Sequence, residues 1–394
     1  MKSQVDYLLS ELINEVKRYT VEEDDKAYIL DPVFGIVRNR VNAEVCKALL
    51  RIGGDKQLAG KLINYIIEHQ NHDGSWNEIH PNYNQPSALI TSFIGEALLL
   101  GSDILQNDNP VKRAKDYVLS QGKKPGYFLK SSLYTADHLN VDASCGAFLA
   151  QYGMIYDDEI CLKTAERAAK RICENQSGGV YPYTSDKGSY GYSLNVPCIH
   201  YQGVTIYYLS KIYEVLKEEW IKESLLDGAK WLSSAQKSEG KFDWSKSGLL
   251  FAYYLSGAYA FAFASFIQAS KWEKEYFQNA ESCLNMIRDV IDGLVLRWEP
   301  DSWVTFAPDI LISLKTASIN NYPNKHVLFR FGYAMYRQAA RRMYSDKCDD
   351  RAFNLLCKSL GIKASTIEPS KNFPDMFMTS EVLDCLSYSY GALK

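Results

Sequence analysis

One short pattern recurs along this sequence, a glutamine followed by a glycine and then an aromatic residue. The first copy is Gln70-Asn71-His72-Asp73-Gly74-Ser75-Trp76, between two apolar runs. Glycine permits a tight turn, glutamine can hydrogen-bond backbone groups at a helix end, and the aromatic ring can cover them. Later copies begin at Gln121, Gln176 and Gln236. Counted from Gln70, each glutamine follows the previous one by 51, 55 and 60 residues, by subtraction. A fifth copy, Asp292-Gly293-Leu294, lacks the glutamine. Recurrence at a nearly fixed spacing indicates stacked supersecondary units.

Each unit is predicted to contain an amphipathic helix before the turn and a more apolar helix after it. The predicted amphipathic helices span residues 57–69, 111–120, 162–175, 221–235 and 276–290. The predicted apolar helices span residues 86–100, 138–152, 197–215, 249–268 and 303–317. Further helices are predicted over 5–16, 41–52, 327–343, 352–360 and about 380–388.

The alternation of amphipathic and apolar helices predicts two concentric layers, because a helix that is apolar all round must be buried. We therefore predict an all-α fold, a single α/α toroid over residues 1–394, with repeat units best defined over 57–317. The inner helices would surround a funnel, and the loops at their N-terminal ends would form a ligand site.

Composition narrows the functional classes. The chain has 394 residues, of which 46% are hydrophobic and 23% are charged, as in an ordinary globular protein. A net charge of -3 does not indicate the excess of basic residues that is typical of nucleic-acid-binding proteins. Nine cysteines without a framework spacing indicate reduced thiols, and the first residues are too polar for a signal peptide. We predict a cytoplasmic protein.

The segment from Ser247 to Ser270 contains no charged residue and is long enough to span a bilayer. It nevertheless occupies the position of an apolar helix in the repeat, and it contains several hydroxyl groups that lipid would not accommodate well. We predict a buried helix and no membrane insertion.

The turns resemble those of the α/α-toroid superfamily. Gln70-x-x-x-Gly74-x-Trp76 and Gln236-x-x-x-Gly240-x-Phe242 match the QW motif of terpenoid cyclases, Gln-x-x-x-Gly-x-aromatic. Similar hairpins with looser turns occur in six-hairpin glycosidases, uronate lyases and toroids of bacterial polysaccharide clusters. The resemblance implies a barrel of helical hairpins and several possible chemistries.

The terpenoid branch of this resemblance depends on one residue. Class II cyclases carry an Asp-x-Asp-Asp-Thr-Ala motif at the start of an inner helix, and the comparable stretch here is Asn140-Val141-Asp142-Ala143-Ser144-Cys145. Only Asp142 is retained, at the position of the proton-donating aspartate. The protein prenyltransferase branch requires a histidine after an Asp-x-Cys sequence, and none follows Asp346-Lys347-Cys348.

The first candidate site lies at the start of the second repeat's apolar helix. His138, Asp142 and Cys145 are spaced to share one helical face. A carboxylate in an apolar helix is costly unless it is paired, so Asp142 requires an explanation. It could be a general acid or base beside His138, or a hydrogen bond between them could join two helices. Asp137, which precedes this helix, is assigned to substrate binding.

The second candidate site is at the start of the next apolar helix. Uronate lyases and epimerases need one group that neutralises the substrate carboxylate and another that moves a proton. His200 and Tyr201 are assigned to catalysis, and Tyr192 and Asn195 to substrate binding. The alternative is a helix-capping asparagine and a core histidine.

The third candidate site is Trp298-Glu299-Pro300-Asp301-Ser302-Trp303, which places two carboxylates between two indoles. Such a segment suits a sugar platform with an acid/base pair. Trp298, Glu299, Asp301 and Trp303 are assigned to substrate binding. Alternatively, Asp301 caps a helix and Trp303 belongs to the core.

We predict a carbohydrate-active enzyme that acts on a uronate-containing glycan by acid/base catalysis, as a hydrolase, a lyase or an epimerase. The expected partner is a small molecule or an oligosaccharide, and neither a cofactor nor a resident metal is predicted. Convergence of Cys145 and Cys198 with the candidate histidines is the alternative that would create a metal site. Two other functions remain open, a terpenoid-cyclase-like enzyme with Asp142 as its acid and a toroid that binds a glycan or a protein without catalysis.

Overall fold

The structure is a computed structural model, and twelve α-helices lie within the residues that it describes. These residues are 1–31, 35–80, 83–105, 107–190, 194–238, 240–243, 246–247, 255–292 and 376–393. The predicted helices over 303–317, 327–343 and 352–360 lie outside them.

The helices alternate between an outer and an inner layer along the chain. The outer helices are α1 (Lys2–Arg18), α3 (Lys56–Glu68), α5 (Asn109–Ser120), α7 (Glu159–Glu174), α9 (Glu219–Ser234) and α11 (Tyr276–Asp292). The inner helices are α2 (Asn39–Arg51), α4 (Ala88–Leu100), α6 (Leu139–Tyr156), α8 (Ile199–Leu216), α10 (Leu255–Ser270) and α12 (Met376–Tyr390). Each inner helix packs against the next in this order, and α12 packs against α2. The described helices therefore form a closed ring, which confirms the predicted α/α toroid.

The two ends of the chain complete this ring together. The last inner helix, α12, takes its outer partner from the other end of the sequence, because α1 packs against it. Apart from Tyr7, the exposed residues of α1 are charged or polar, while Val5, Leu8 and Leu12 are buried. The sequence interpretation placed residues 41–52 before the first repeat unit. The structure instead makes this segment the inner helix α2.

The repeated glutamine joins its own turn to the next outer helix. The Gln70 side-chain amide donates to the carbonyl of Gly74 at 3.0 Å and to that of Pro110, in α5, at 2.9 Å. Gln176 and Gln236 repeat this pattern, with carbonyls in α9 and α11 as their second acceptors. Gln121 differs, since its amide donates to the neighbouring Ser120 hydroxyl. The recurrence therefore reflects docking between neighbouring units.

The glycine of each turn is required by the same contact. Gly74 has φ +89°, and a Cβ atom there would overlap the backbone carbonyl of Arg113 in α5. Gly126 meets the carbonyl of Arg167 in the same way. Only a residue without Cβ adopts this backbone conformation at so close an approach. The turns and the N-terminal ends of the inner helices lie at one end of the barrel, which we call the mouth.

The strands are short and antiparallel. The sheet β1–β2–β3 comprises Thr20–Glu22, Ala27–Asp31 and Ile36–Val37, and two hairpins pair β4 (Asn77–His80) with β5 (Tyr83–Pro86) and β6 (Gly122–Lys124) with β7 (Tyr127–Phe128). No sheet contributes a barrel wall within the described ranges.

The charge-free segment forms α10, which packs between α8 and α12 and against α11. Its described side chains from Gly257 to Ala269 are buried, as predicted for an inner helix. Within the described part of the chain, no helix has both the length and the apolar character needed to cross a membrane.

Candidate active site

Each turn is fixed to the inner helix that follows it by one polar side chain. The backbone N–H of Trp76 donates to the Thr91 hydroxyl at 3.0 Å, and that of Tyr181 donates to the Gln202 side-chain carbonyl at 2.9 Å. The N–H of Phe128 donates to the Asp142 carboxylate at 2.8 Å. Thr91, Gln202 and Asp142 are each the fourth residue of an inner helix. Asp142 thus occupies the anchor position of the repeat.

The other contacts of Asp142 lie between the two helix layers. Arg171, on the outer helix α7, forms an ion pair with Asp137 through Nε at 2.7 Å and approaches the second Asp142 oxygen at 3.8 Å. The Ser185 hydroxyl also donates to Asp137. Burial, followed by the neighbouring Asp137 carboxylate, raises the pKa of Asp142 well above its usual range. We call Asp137, Asp142 and Arg171 the turn cluster.

His138 is not the partner of Asp142, contrary to the proximity that the helical spacing suggested. It precedes α6, where its Nδ1 atom lies 2.7 Å from the Ala136 carbonyl. Burial, followed by the charge of Lys130, lowers the pKa of His138 to about 3, so the imidazole is neutral. Cys145 is also buried, with its thiol directed toward the carbonyl of Ala88 at 3.8 Å.

The structure brings His138 together with the second candidate site through aromatic contacts. Its ring packs edge-on against the Tyr183 ring, with the ring centres 5.1 Å apart. The centres of the Tyr183 and Tyr201 rings are 4.6 Å apart. Tyr201 in turn packs against His200 at 4.9 Å. Three residues predicted to be catalytic therefore lie along one aromatic path at the mouth.

The remaining predicted site residues do not lie together in the structure as far as it describes them. Asn195 is exposed in the loop before α8, whose N-cap residue is Cys198, so Asn195 is not a helix cap. Tyr192, Trp298, Glu299, Asp301 and Trp303 lie outside the described residues. Among the residues that are described, no group of three or more His, Cys, Asp or Glu side chains is arranged to hold a metal ion.

A second charged cluster lies inside the ring of inner helices, near the mouth. Arg40 on α2 contacts Glu44 through Nε at 2.7 Å and also forms an ion pair with Glu381 on α12. The Ser380 hydroxyl donates to Glu44 at 2.6 Å. His200 belongs to the same group, because a Cβ atom added to Gly257 would meet both Glu381 and the His200 ring. We call Arg40, Glu44, His200 and Glu381 the central cluster.

The pKa values of two residues in the central cluster, Glu381 and His200, favour proton exchange near neutral pH. Burial raises the pKa of Glu381 to about 7 despite the opposing charge of Arg40. Its Oε2 atom is buried and has no hydrogen-bond partner among the described residues. Burial, followed by the charge of Arg40, lowers the pKa of His200 to about 3. A carboxyl group that titrates near pH 7 beside a neutral imidazole is suited to acid/base chemistry.

Deeper in the barrel, a third group of charges consists of three cations and two carboxylates. Lys47 contacts Glu96 and Asp384, each at 3.1 Å, and Arg51 contacts the same two carboxylates at 2.9 and 2.7 Å. Lys211 forms an ion pair with Glu96 as well. Burial lowers the pKa of Lys211 to about 8, whereas Lys47 and Arg51 outweigh burial and lower the pKa of Asp384. We call these five residues the floor cluster.

The sequence interpretation missed both interior clusters, although a pattern was present. Arg40, Glu44, Lys47 and Arg51 recur at helical spacing along one face of α2. Glu96 is the single charged residue of α4. An isolated charge in an apolar helix requires a partner, and Glu96 meets this condition in the sequence as Asp142 does.

Several solved structures share this fold at low sequence identity. No protein-family model and no curated protein matches the chain. An unsaturated glucuronyl hydrolase specific for heparin is 14% identical with a TM-score of 0.56, over 99% of this chain and 96% of that one. Cellobiose 2-epimerase from Bacillus thermoamylovorans is 11% identical with a TM-score of 0.57, over 76% of this chain and 90% of that one. A D-mannose isomerase is 12% identical with a TM-score of 0.55, and the similarity covers 72% of this chain and 85% of that one.

Proposed function

We propose that the protein is an enzyme that acts on a uronate-containing carbohydrate by acid/base catalysis at the central cluster. Glu381 is the proton donor or acceptor, and His200 is its neutral neighbour. The carrying observation is the buried Glu381 carboxyl group, which has one oxygen paired with Arg40 and the other without a hydrogen-bond partner among the described residues. A group that is buried, titrates near neutral pH and keeps one oxygen available can exchange a proton with a ligand.

Arg40 provides the reason for a uronate rather than a neutral sugar. Its guanidinium group faces the Glu44 and Glu381 carboxylates. Protonation of Glu381 removes one of the two negative charges that face Arg40, so a substrate carboxylate can take its place at the same total charge of the cluster. Planar guanidinium groups bind carboxylates with good geometry. The heparin-specific glucuronyl hydrolase with this fold supports the same substrate class.

Aromatic side chains around the central cluster supply surfaces for sugar rings. Phe377 and Phe93 pack on the Arg40 guanidinium, at 4.5 and 4.9 Å from its carbon to the ring centres. Tyr201 packs against His200, and Tyr183 packs against Tyr201. Tyr201 and His138 thus retain a proposed place at the site, as wall residues that contact the substrate.

The turn cluster has a different proposed role. The carboxylate of Asp142 holds the turn at Phe128 and faces Arg171 of the outer layer. These contacts favour a structural role for Asp142 and give no support to a terpenoid-cyclase-like reaction initiated by it. We also propose that residues 1–394 form a single domain, because α1 and α12 pack together.

The test is to incubate the purified protein in D2O with saturated and unsaturated glucuronic-acid disaccharides. Release of reducing ends without a new C4–C5 double bond indicates hydrolysis, and release together with the ultraviolet absorbance of that double bond indicates elimination. Deuterium incorporation without cleavage indicates epimerisation or isomerisation. Glu381→Gln should abolish the activity found. Absence of both binding and turnover with all of these sugars would contradict the proposal.

A second candidate function is a toroid that binds a glycan without catalysis. It is favoured by the floor cluster, in which three cations and two carboxylates pair with one another and fill the deeper part of the ring. In that case the same sugars would bind, no product would form, and Glu381→Gln would change affinity alone.

A further inference from the structure

Among the buried polar atoms of the inner helices that have no hydrogen-bond partner in the described residues, two belong to side chains that interact with Arg40. One is the Oε2 atom of Glu381, and the other is the hydroxyl of Tyr208 on α8. The neighbouring Tyr207 provides a contrast, because its hydroxyl donates to Asp384 at 2.9 Å. Buried polar groups are nearly always hydrogen-bonded, so each exception requires an explanation.

The position of the Tyr208 hydroxyl is fixed by packing. Phe93 stacks on the Tyr208 ring with centres 5.3 Å apart, and the Lys211 amine lies 4.8 Å from the ring centre. The whole residue is only 1% exposed. A rigid ring holds its hydroxyl in place without a hydrogen bond, which is the pre-organisation that a binding group requires.

The electrostatic surroundings place this hydroxyl between the two interior clusters. Burial, followed by the carboxylates of Asp384, Glu96 and Glu44, raises the pKa of Tyr208 well above its usual range, and Arg40 opposes this effect. The phenol therefore stays protonated and can donate a hydrogen bond. Arg40 also pairs with Glu381, so both unpartnered atoms belong to the surroundings of one guanidinium group.

We propose that Tyr208 is a substrate-positioning residue whose hydroxyl binds an oxygen of the sugar and thereby decides which carbon faces Glu381. This inference rests on the proposed function and adds a specificity determinant to it. A polyhydroxylated ligand fits both atoms, because a sugar oxygen can accept from Tyr208 while a sugar hydroxyl donates to Glu381. A site that is built to hydrogen-bond a substrate oxygen discriminates strongly against an analogue without it.

The test compares Tyr208→Phe with Tyr207→Phe, its neighbour on the same helix. Tyr208→Phe should leave the melting temperature unchanged or raise it, because it removes a buried hydroxyl without a partner. Tyr207→Phe should lower the melting temperature, because Asp384 loses a donor. A drop in Tyr208→Phe as large as that in Tyr207→Phe would assign the hydroxyl to the scaffold and overturn the inference.

Binding of D-glucuronate and its monodeoxy derivatives, measured by calorimetry, gives the second readout. Tyr208→Phe should weaken D-glucuronate binding by about tenfold. One deoxy derivative should bind the wild type about tenfold more weakly but bind Tyr208→Phe as well as D-glucuronate does, because the paired groups are then both absent. With a substrate of known turnover, the loss should appear in KM more than in kcat.

The outcomes separate this inference from the proposed function. If D-glucuronate binds the wild type, and Glu381→Gln changes binding or turnover while Tyr208→Phe changes neither, the positioning role fails and the proposed function stands. If every deoxy derivative loses as much affinity relative to D-glucuronate in Tyr208→Phe as in the wild type, the positioning role also fails. If D-glucuronate and the disaccharides do not bind the wild type, both fail together.

Discussion

The turn cluster and the central cluster have nearly the same composition but lie in different parts of the barrel. In each, one arginine faces two buried carboxylates, Arg171 with Asp137 and Asp142 or Arg40 with Glu44 and Glu381. Arg171 comes from an outer helix, so its cluster lies between the layers. Arg40 comes from an inner helix, so its cluster lies inside the ring.

The comparison teaches that a raised pKa and burial alone do not separate a proposed catalytic carboxyl group from a proposed structural one. Burial raises the pKa of both Asp142 and Glu381. Asp142, however, accepts a backbone hydrogen bond that the repeat requires at every turn, as Thr91 and Gln202 do elsewhere. The second oxygens of Asp142 and Glu381 both lack a hydrogen-bond partner among the described residues, but the first oxygen of Glu381 pairs with Arg40 and not with a turn amide. The position of the group in the barrel and the partner of its first oxygen therefore distinguish the two carboxyl groups.

The largest expected effect tests this assignment directly. Glu381→Gln should reduce turnover per folded molecule by about a hundredfold to ten-thousandfold, the usual contribution of a positioned acid or base. Asp142→Asn is the matched control and should leave turnover within about threefold, because it keeps the acceptor for Phe128. Turnover by each purified variant, normalised to the folded fraction, is the measurement. Equal losses in the two variants would reverse the comparison.

The next expected effect concerns the floor cluster beneath the central cluster. Lys47→Met should lower the free energy of unfolding by about 3–5 kcal/mol, because Glu96 and Asp384 lose a buried cation. Lys61→Met is the control, since Lys61 pairs with the exposed Glu22 and should cost at most about 1 kcal/mol. Urea unfolding of both variants measures the difference. Similar small losses would show that the interior pairs contribute no more than surface pairs.

The pH dependence of stability should distinguish the central cluster from its surroundings. The folded pKa of Glu381 is about 7, above its ordinary value of 4.5, so between these values the folded protein holds a proton that the unfolded chain has released. This contribution to stability is fully present below pH 4.5 and is lost as pH rises through 7. The wild type should therefore lose about 3 kcal/mol relative to Glu381→Gln over that interval.

Urea unfolding of the two proteins at several pH values measures this difference. Comparing the two proteins cancels the opposite dependence of His138 and His200, whose lowered folded pKa values make stability fall as pH decreases. A stability difference that is independent of pH would mean that Glu381 titrates in its ordinary range.

The smallest expected effect concerns the turn cluster. Asp142→Leu should cost about 1–3 kcal/mol of stability, because the Phe128 N–H loses its acceptor in a buried site. Asp142→Asn should cost less, since its side-chain carbonyl still accepts this bond. Thermal unfolding of both variants is the measurement. A neutral Asp142→Leu variant would show that the anchor is dispensable and would weaken the structural assignment.

Most of the helices could be predicted from the sequence. Apolar periodicity predicted the helices observed as α3 to α9 with ends that differ by a few residues, and the charge-free segment predicted the buried helix α10. The helix over 41–52 was predicted as a helix, but its inner position was not. That position follows from the packing of α2 against α12, two elements more than 300 residues apart in sequence.

The candidate site was predicted less well, and the reason is physical. The sequence offered His200 and Tyr201 as candidates because they begin an inner helix, and all inner helices begin at the mouth. Arg40 and Glu381 were not found, because they are far apart in the chain and become partners only when the ring closes. Local spacing shows which residues share a helical face but cannot show which face points to the centre.

The sequence by itself determined the repeat, the two kinds of helix and hence the toroid, because glycine turns and apolar periodicity act over a few residues. Tertiary structure alone decided the roles of the charged side chains. Asp142 became an anchor because a turn amide lies against it, and Glu381 became the candidate acid because ring closure buries it beside Arg40 and His200. The free energy of a buried charge depends on all of its neighbours in space, and those neighbours come from both ends of this chain.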